Sequence, residues 1–372
     1  MRFLYNTALG FLFLAYLPKA LYMRLRYGKY KSKFTVPKIA PADKPIVWIH
    51  ACSAGETKAA STLAKHFKDE ALVISSTTET GHALAKSLIP AHAHIMLPFD
   101  FHFLMRRLAK QIRPKLLILV ESDCWPNLLI ETPCRKALVS ATLSERSLKR
   151  YQKLPSFARL VFSQFDFIGV QNEVYQERFA LLGIKTTITG NLKFDLPAPQ
   201  SKPEDFAITI GSTHAGEEEA IVKALEPLTE KYPQLKLYVI PRHPERFALV
   251  QKLLESSKAI PITQMGVLQS YYARSKLAIV GGSFVGNIGG HNILEPILNH
   301  IPVFFGPCMH AQQELVKLAG SAGKQLEISK LPEAVEKCIT DPAYYANLCS
   351  AAVAVEISLR GASLKTFNHV CF

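Results

Sequence analysis

From residue 45 onward the chain alternates short apolar runs with longer amphipathic stretches, and this alternation constrains its fold more than any other feature. "IVWIHA", "ALVIS", "HIMLP", "KLLILV", "KALVS" and "FIGV" are each too short for a stable helix and largely lack a polar face. Such runs read as strands buried on both faces, the condition of a parallel sheet covered by helices. Between them, "ETKAASTLAKHF", "TETGHALAKSL" and "FHFLMRRLAKQI" have the apolar spacing of helices and supply the crossovers that parallel strands need. The alternation stops near "TTITGNLKFD", and "LPAPQSKPED" (196–205), with its prolines and charges, reads as a linker. A second alternation follows: "AITIGS", "KLYVIP", "LAIVGG" and "PVFFGP", separated by helices such as "GEEEAIVKALEPLTEKY".

This pattern predicts two doubly wound α/β halves, with ligands at a cleft where strand C-terminal ends converge. A length of 372 residues suits two domains. The expected divisions are 1–33, a membrane-associated apolar and basic segment; 34–195, a first Rossmann-like domain; 196–205, the linker; and 206–372, a second such domain. The last helix is free to pack back on the first domain.

The net charge of +14 points to a polyanionic partner: nucleic acid, an acidic membrane surface or a phosphorylated substrate. No nucleic-acid recognition motif accompanies it. The seven cysteines are scattered and form no CxxC pair, which argues against a disulfide framework or zinc ribbon and suits a reducing compartment. Neither DxD nor HExxH is present, so no metal site is indicated, and the GxSxG elbow is absent as well. "FLYNTALGFLFLAYLPKALYM" (3–23) is strongly apolar but interrupted by Asn6, Pro18 and Lys19. The basic run that follows it is the reverse of a cleaved signal peptide. A helix lying on a membrane, with Arg24, Arg26, Lys29 and Lys31 on anionic headgroups, fits these residues, as does a helix buried on the domain.

Several strand ends carry polar clusters. "HACSAGE" places His50, Ser53 and Glu56 where a strand meets a helix, and Ser53-x-x-Glu56 is also a capping-box pattern. Ser76/Glu79 and Thr142/Glu145 repeat it. "ESDCWPN" sets Glu121 and Asp123 at another strand end, with Trp125-Pro126 opening a helix; two such carboxylates sharing a cleft suit acid/base work. Lys193 stands beside Asn191 just before the linker. Arg242 and His243 lie between two prolines; the guanidinium suits either a phosphate or a pairing with Glu245 or Glu295. "GGSFVGNIGGHNILEP" (281–296) gathers five glycines between a strand and a helix start. Glycines permit close backbone approach and a helix end favours negative charge, so the loop suits an anion or nucleotide. It matches neither the dinucleotide fingerprint nor the P-loop, and a tight turn without a ligand fits the same residues.

Taken together, "IHACSAGE", "ESDCWPNLL", "SATLSERSLKRY", "GVQNEVYQERFALLG", "TGNLKFD", "GSTHAGEEE", "PRHPERF" and the glycine loop resemble the 3-deoxy-D-manno-octulosonic acid (Kdo) transferases of Gram-negative bacteria. The match runs in order from the N-terminal apolar segment to about residue 310. The resemblance implies a GT-B fold, two Rossmann-like domains facing a cleft, with no metal and no cofactor. It further implies transfer of Kdo from CMP-Kdo to a lipid A precursor, with inversion, at the cytoplasmic face of the inner membrane. Carried over by motif, Glu56 resembles the general base, and Glu121 and Lys193 the transition-state stabilisers. Arg242 and His243 resemble CMP contacts, as do Met265, Gly266 and Val267, and Asn292, Ile293, Leu294 and Glu295. The chain departs from the pattern where Val267 replaces a usual glutamate, where Asp123-Cys124 replaces Glu-Leu, and within "CMHAQQE" after "FFGP". A GT-B enzyme using a UDP-sugar and a non-catalytic nucleotide- or lipid-binding relative are the alternatives; preference for CMP over UDP separates the first.

Overall fold

The computed structural model describes residues 1–27, 33–121, 124–197 and 206–371, apart from the side chains of residues 20, 21, 23–25 and 27. The chain divides into two compact units: Met1–Leu196 with Arg360–Phe372, and Pro197–Leu359. Lys29, Lys31, Asp123 and most of the expected linker lie outside the described residues.

The first unit opens with helix α1 (Arg2–Tyr27) and continues as β1 (Ile46–His50), α2 (Ala54–Ala64), β2 (Ala71–Ser76), α3 (Glu79–Leu88), β3 (Ala93–Met96) and α4 (His102–Ile112). Then come β4 (Leu116–Val120), α5 (Pro126–Glu131), β5 (Arg135–Ala141), α6 (Glu145–Lys153), α7 (Pro155–Phe162), β6 (Phe167–Val170), α8 (Glu173–Ala180) and β7 (Thr187–Ile188). The strands form a sheet in the order β3-β2-β1-β4-β5-β6-β7, every pair parallel. Successive side chains of a strand face opposite sides of the sheet. Accordingly Trp48, Leu117 and Leu119 enter one core, while Val47, Ile49, Ile118 and Val120 enter the other. Burial on both faces is why these strands read as continuous apolar runs.

Helix α1 is apolar on two faces. One docks: Tyr5 Oη donates to Asp100 (2.8 Å), Asn127 Nδ2 donates to Asn6 Oδ1 (2.8 Å), Arg2 pairs with Glu131, and Phe13 packs edge-on against Phe34, Phe99 and Phe101. Phe3, Leu4, Phe11, Leu12 and Leu14 remain exposed. Among the described residues no helix is long and apolar enough to cross a membrane.

The second unit holds β8 (Ala207–Thr213), α9 (Glu217–Lys231), β9 (Lys236–Pro241), α10 (Phe247–Leu253), β10 (Ile260–Pro261), α11 (Leu268–Arg274), β11 (Leu277–Val280) and α12 (Leu294–Ile297). It ends with β12 (Val303–Phe305), α13 (Gln313–Ala319), β13 (Gly323–Gln325), α14 (Leu331–Thr340) and α15 (Pro342–Leu359). Its parallel sheet runs β10-β9-β8-β11-β12-β13. Ile208, Ile210, Leu237, Val239 and Ile279 pack there with Ile221, Leu225 and Leu228 of α9. The final helix α16 (Ala362–Cys371) belongs to the first unit: Ala362 and Val370 join its core, and Asp195 accepts from Gly361 N (2.7 Å) and Ser363 N (2.6 Å).

Three local expectations are corrected. Ser76 and Thr142 are not N-caps. Ser76 ends β2 and α3 is capped by Thr78, whose Oγ1 accepts from Gly81 N; α6 is capped by Ser144, whose Oγ accepts from Ser147 N. In each case the hydroxyl nearest the helix's first turn takes the role. The helix expected to open at "NILEPILNH" is the single turn α12, because the chain reverses at His300, in the left-handed region (φ 63°), to enter β12.

Candidate active site

In both sheets the strand order reverses direction at one point, between β1 and β4 and between β8 and β11. Loops at the C-terminal ends of strands diverge there, which leaves a crevice for ligands. Glu56 and Glu121 follow the two strands at the first of these points, and His214 and the glycine loop follow those at the second, whereas Met265–Val267 follow the edge strand β10.

In the first unit, β1 ends at His50 and the chain turns through Ala51 and Cys52 to Ser53, the N-cap of α2. The capping box is fully formed: Ser53 Oγ accepts from Glu56 N (3.3 Å), and Glu56 Oε2 accepts from Ser53 N (3.0 Å). The same oxygen also accepts from Cys52 N (2.5 Å), and Glu56 is 8% exposed. Glu121 follows β4 directly with φ 66°. A non-glycine residue held there costs about 1–2 kcal/mol, so the surrounding structure must fix it. Lys193 sits in a 3₁₀ turn (Leu192–Asp195) in which Asn191 Oδ1 accepts its backbone N–H (3.0 Å). The Lys193 ammonium meets Glu121 Oε1 at 2.5 Å. It also passes the first turn of α2: a Cβ built on Gly55 would lie 3.8 Å from Lys193 Nζ. The ammonium ion thus lies close to the backbone one residue before Glu56. The Glu121–Lys193 ion pair therefore lies beside the first turn of α2, the turn that carries Glu56.

His50, singled out beside them, has a structural place. Its Nδ1 lies 2.7 Å from Ser75 Oγ and its Nε2 3.1 Å from Cys52 Sγ, and Trp48 Nε1 donates to the same serine (2.8 Å). Burial first, then the Lys33 charge, push its pKa from 6.5 down to about 3. It stays neutral at pH 7 and joins the core rather than the proton chemistry.

The second unit places Arg242 and His243 after β9, both exposed. Among the described residues Arg242 forms no ion pair with Glu245 or Glu295, so the pairing alternative is not realised; Arg246 instead meets the buried Glu218 at 3.1 Å. His243 turns its ring perpendicular to that of His214, which follows β8, with centroids 5.2 Å apart. His214 Nε2 in turn lies 2.7 Å from His291 Nε2, at the end of the glycine loop. Three histidines from three strand ends therefore meet where the notional nucleotide loop begins. Gly282 (φ 67°) admits the His291 ring, since a Cβ there would come within 2.5 Å of it.

Sequence reasoning missed the residue that joins these loops. Glu217 is fully buried: Oε2 accepts from His214 N (2.9 Å) and Gly282 N (2.7 Å), and Oε1 from Phe284 N (2.9 Å). One carboxylate thus fixes the β8 loop and the glycine loop together. Asn292 Oδ1 accepts from Leu294 N (3.1 Å) and its Nδ2 donates to Glu295 Oε1 (3.3 Å). Ile293 and Leu294 are completely buried, so only their backbone can serve a ligand. With α12 a single turn, the anion-binding helix end expected there lacks the aligned peptide dipoles it needs. Met265 and Gly266 are exposed in the turn leading to α11, and with Val267 they make no hydrogen bond to the histidines among the described residues. No group of three His, Cys, Asp or Glu among the described residues could hold a metal ion.

Comparison with known proteins gives this arrangement a family. Residues 23–196 match the family described as 3-Deoxy-D-manno-octulosonic-acid transferase (kdotransferase). The chain is 31% identical over 368 residues to 3-deoxy-D-manno-octulosonic acid transferase of Chlamydophila psittaci, covering 86% of this chain and 84% of that protein. The chain belongs to the 3-deoxy-D-manno-octulosonic acid transferase family. The Kdo transferase of Haemophilus influenzae is 32% identical over 354 residues, covering 84% and 81% of the two chains. Among solved structures, UDP-GlcNAc 2-epimerase from Neisseria meningitidis bound to UDP-GlcNAc superposes with a TM-score of 0.60 at 16% identity, covering 88% of this chain and 99% of that one. That likeness concerns the fold alone. The two parallel, helix-flanked sheets are consistent with a GT-B-like fold, and membership of the Kdo transferase family makes the chain a glycosyltransferase.

Proposed function

We propose that the enzyme takes Kdo from CMP-Kdo and transfers it, with inversion, to a hydroxyl of a lipid A precursor at the cytoplasmic face of the inner membrane. The observation that carries this reading is the Glu121–Lys193 ion pair, whose ammonium lies beside Gly55 in the first turn of α2, the helix that carries Glu56. Glu56 takes the acceptor's proton as its oxygen attacks the anomeric carbon. The Glu121–Lys193 pair presents an oriented ammonium ion to the negative charge that develops. Arg242, His243, the Met265–Val267 turn and Asn292–Glu295 bind CMP in the second unit. Val267 offers only an apolar side chain there, so that turn contributes backbone groups.

The exposed face of α1 supports the membrane half of the reading. Phe3, Phe11 and Leu12 are each at least 70% exposed. Fully burying such a side chain is worth roughly 1.5–3 kcal/mol, so a few suffice to hold the helix in the headgroup boundary. Arg26 follows on the same helix to meet anionic lipid; the Arg24 side chain, Lys29 and Lys31 lie outside the described residues. Calorimetric titration of the purified protein with CMP and with UDP tests the donor. The reading requires CMP to bind more tightly, and preference for UDP would replace it with a UDP-sugar transferase.

A further inference from the structure

The contact between His214 and His291 is unusual because two imidazoles share one hydrogen bond, Nε2 to Nε2, at 2.7 Å. At that distance one nitrogen carries a proton and the other accepts it. Counting protons fixes what the pair can present elsewhere. In the neutral pair one Nδ1 carries hydrogen and the other is bare. One added proton makes both Nδ1 atoms donors and leaves the Nε2 contact intact. Neither Nδ1 forms a hydrogen bond among the described residues. The rings are near-parallel, 16° apart, so the two act as one unit.

Resting on the donor-site reading above, we propose that His214 and His291 are a catalytic pair that takes up one proton when the donor's phosphate diester binds and holds it against the leaving nucleotide. In the transfer step the acceptor oxygen forms a bond to the anomeric carbon and loses its proton to Glu56. The anomeric carbon–oxygen bond breaks with its electron pair moving to the phosphate, which goes from one negative charge to two. The protonated pair, with two outward N–H donors, faces that added charge and releases its proton to solvent as the nucleotide departs.

The surroundings set the unliganded pair neutral and leave it ready to charge. His291 has its pKa pushed from 6.5 to about 4, by burial first and then by His214, Arg242 and His243. His214 is lowered as well, by burial first; Glu217 and Glu218 oppose this while His243 and Arg246 add to it. An anionic phosphate at contact distance favours the extra proton by about a thousandfold, enough to reverse that balance near neutrality. Glu217 positions the pair, since it binds the backbone of His214 and of Gly282 beneath the His291 ring.

The test is calorimetry of the full chain with cytidine 5′-(methyl phosphate), a diester that does not itself titrate near neutrality, in buffers of different ionisation enthalpy at pH 6.5. Net proton uptake on binding is expected, disappearing in His291→Asn and His214→Asn and persisting in His102→Asn, an exposed histidine of the first unit. Should a variant lose binding or folding, ¹⁵N-histidine spectra of the wild type must show His214 and His291 moving to imidazolium shifts on adding the diester. Binding without proton uptake, uptake that survives both substitutions, or unmoved histidine shifts overturns the pair while leaving the donor site standing. Absence of diester binding overturns the donor site itself, and the pair with it.

Discussion

Glu56 is both a helix cap and the proposed base, and Glu56→Gln separates the two roles. In the structure Oε2 receives the N–H groups of Cys52 and Ser53, while the backbone N–H of Glu56 reaches Ser53 Oγ. A glutamine keeps an oxygen for the first two and leaves the third untouched. What is lost is charge. Hydrogen bonds to an ionised group are worth about 1.5–3 kcal/mol net against 0.5–1.5 for neutral ones, so two weakened bonds cost about 2 kcal/mol together. For a unit of roughly 200 residues that lowers the melting temperature by about 4–8 °C. An amide cannot accept the acceptor's proton, so the transfer rate should fall about 10²–10⁴-fold, or about 2.7–5.4 kcal/mol of barrier. Glu56→Ala should lose similar activity but more stability, because Cys52 N and Ser53 N are left without a partner in a buried turn. The assay is the initial rate of Kdo transfer from CMP-Kdo, read beside calorimetric CMP affinity and a melting curve. Near-normal turnover in the Gln variant would refute the reasoning, reduce Glu56 to a cap and move the search for the base to Glu121 or Asp123.

Other outcomes follow from the same geometry. Arg242→Ala should weaken CMP binding by about 1.5–3 kcal/mol in calorimetry, since the exposed guanidinium forms no ion pair with Glu245 or Glu295 that would compete; unchanged affinity removes it from the site. Phe3→Ser, Phe11→Ser and Leu12→Gln combined should weaken sedimentation with phosphatidylglycerol vesicles by at least about a thousandfold with the melt unchanged; a lowered melt would make these residues part of a core. Deleting residues 1–33 is the poorer test, because it also removes the Tyr5–Asp100 bond and the Phe13 contacts. His50 is pushed down to about 3 in the fold, so the unfolded chain binds the extra proton between pH 6.5 and 3. Stability therefore falls with pH in that window, and the denaturant-measured difference between wild type and His50→Asn should shrink by up to about 1.4 kcal/mol per pH unit; a constant difference contradicts the assignment.

What the sequence revealed and what it concealed have physical reasons. Central strands such as β1, β4, β8 and β11 are buried on both faces, so every residue reports the same environment and the run is conspicuous. β7, β10 and β13 have two or three partly exposed residues each, too few to carry a period. Ser-x-x-Glu was right at Ser53 and wrong at Ser76 and Thr142, because several hydroxyls crowd each boundary and only the backbone's path selects one. The candidate site in the first unit rests on motif, and the contact that the structure adds required Lys193 to cross from another loop to Glu121. In the second unit "GEEE" opens the helix α9 with three glutamates in its first turn. Two of those three glutamates are buried, one clamping the glycine loop and one holding Arg246. A carboxylate that satisfies backbone N–H groups from a distant loop leaves no trace in local spacing. His214 and His291 were likewise visible only as isolated letters in two motifs.

The central claim is the reaction itself, and product analysis reaches it directly. Purified full-length enzyme, CMP-Kdo and a tetraacylated lipid A precursor would be incubated and the lipid product weighed by mass spectrometry. The account predicts an acceptor heavier by whole Kdo residues, with CMP released in equal amount and no product from the Glu56→Gln variant over the same interval. An unmodified acceptor with intact CMP-Kdo, from enzyme that consumes a UDP-sugar under the same conditions, would contradict it.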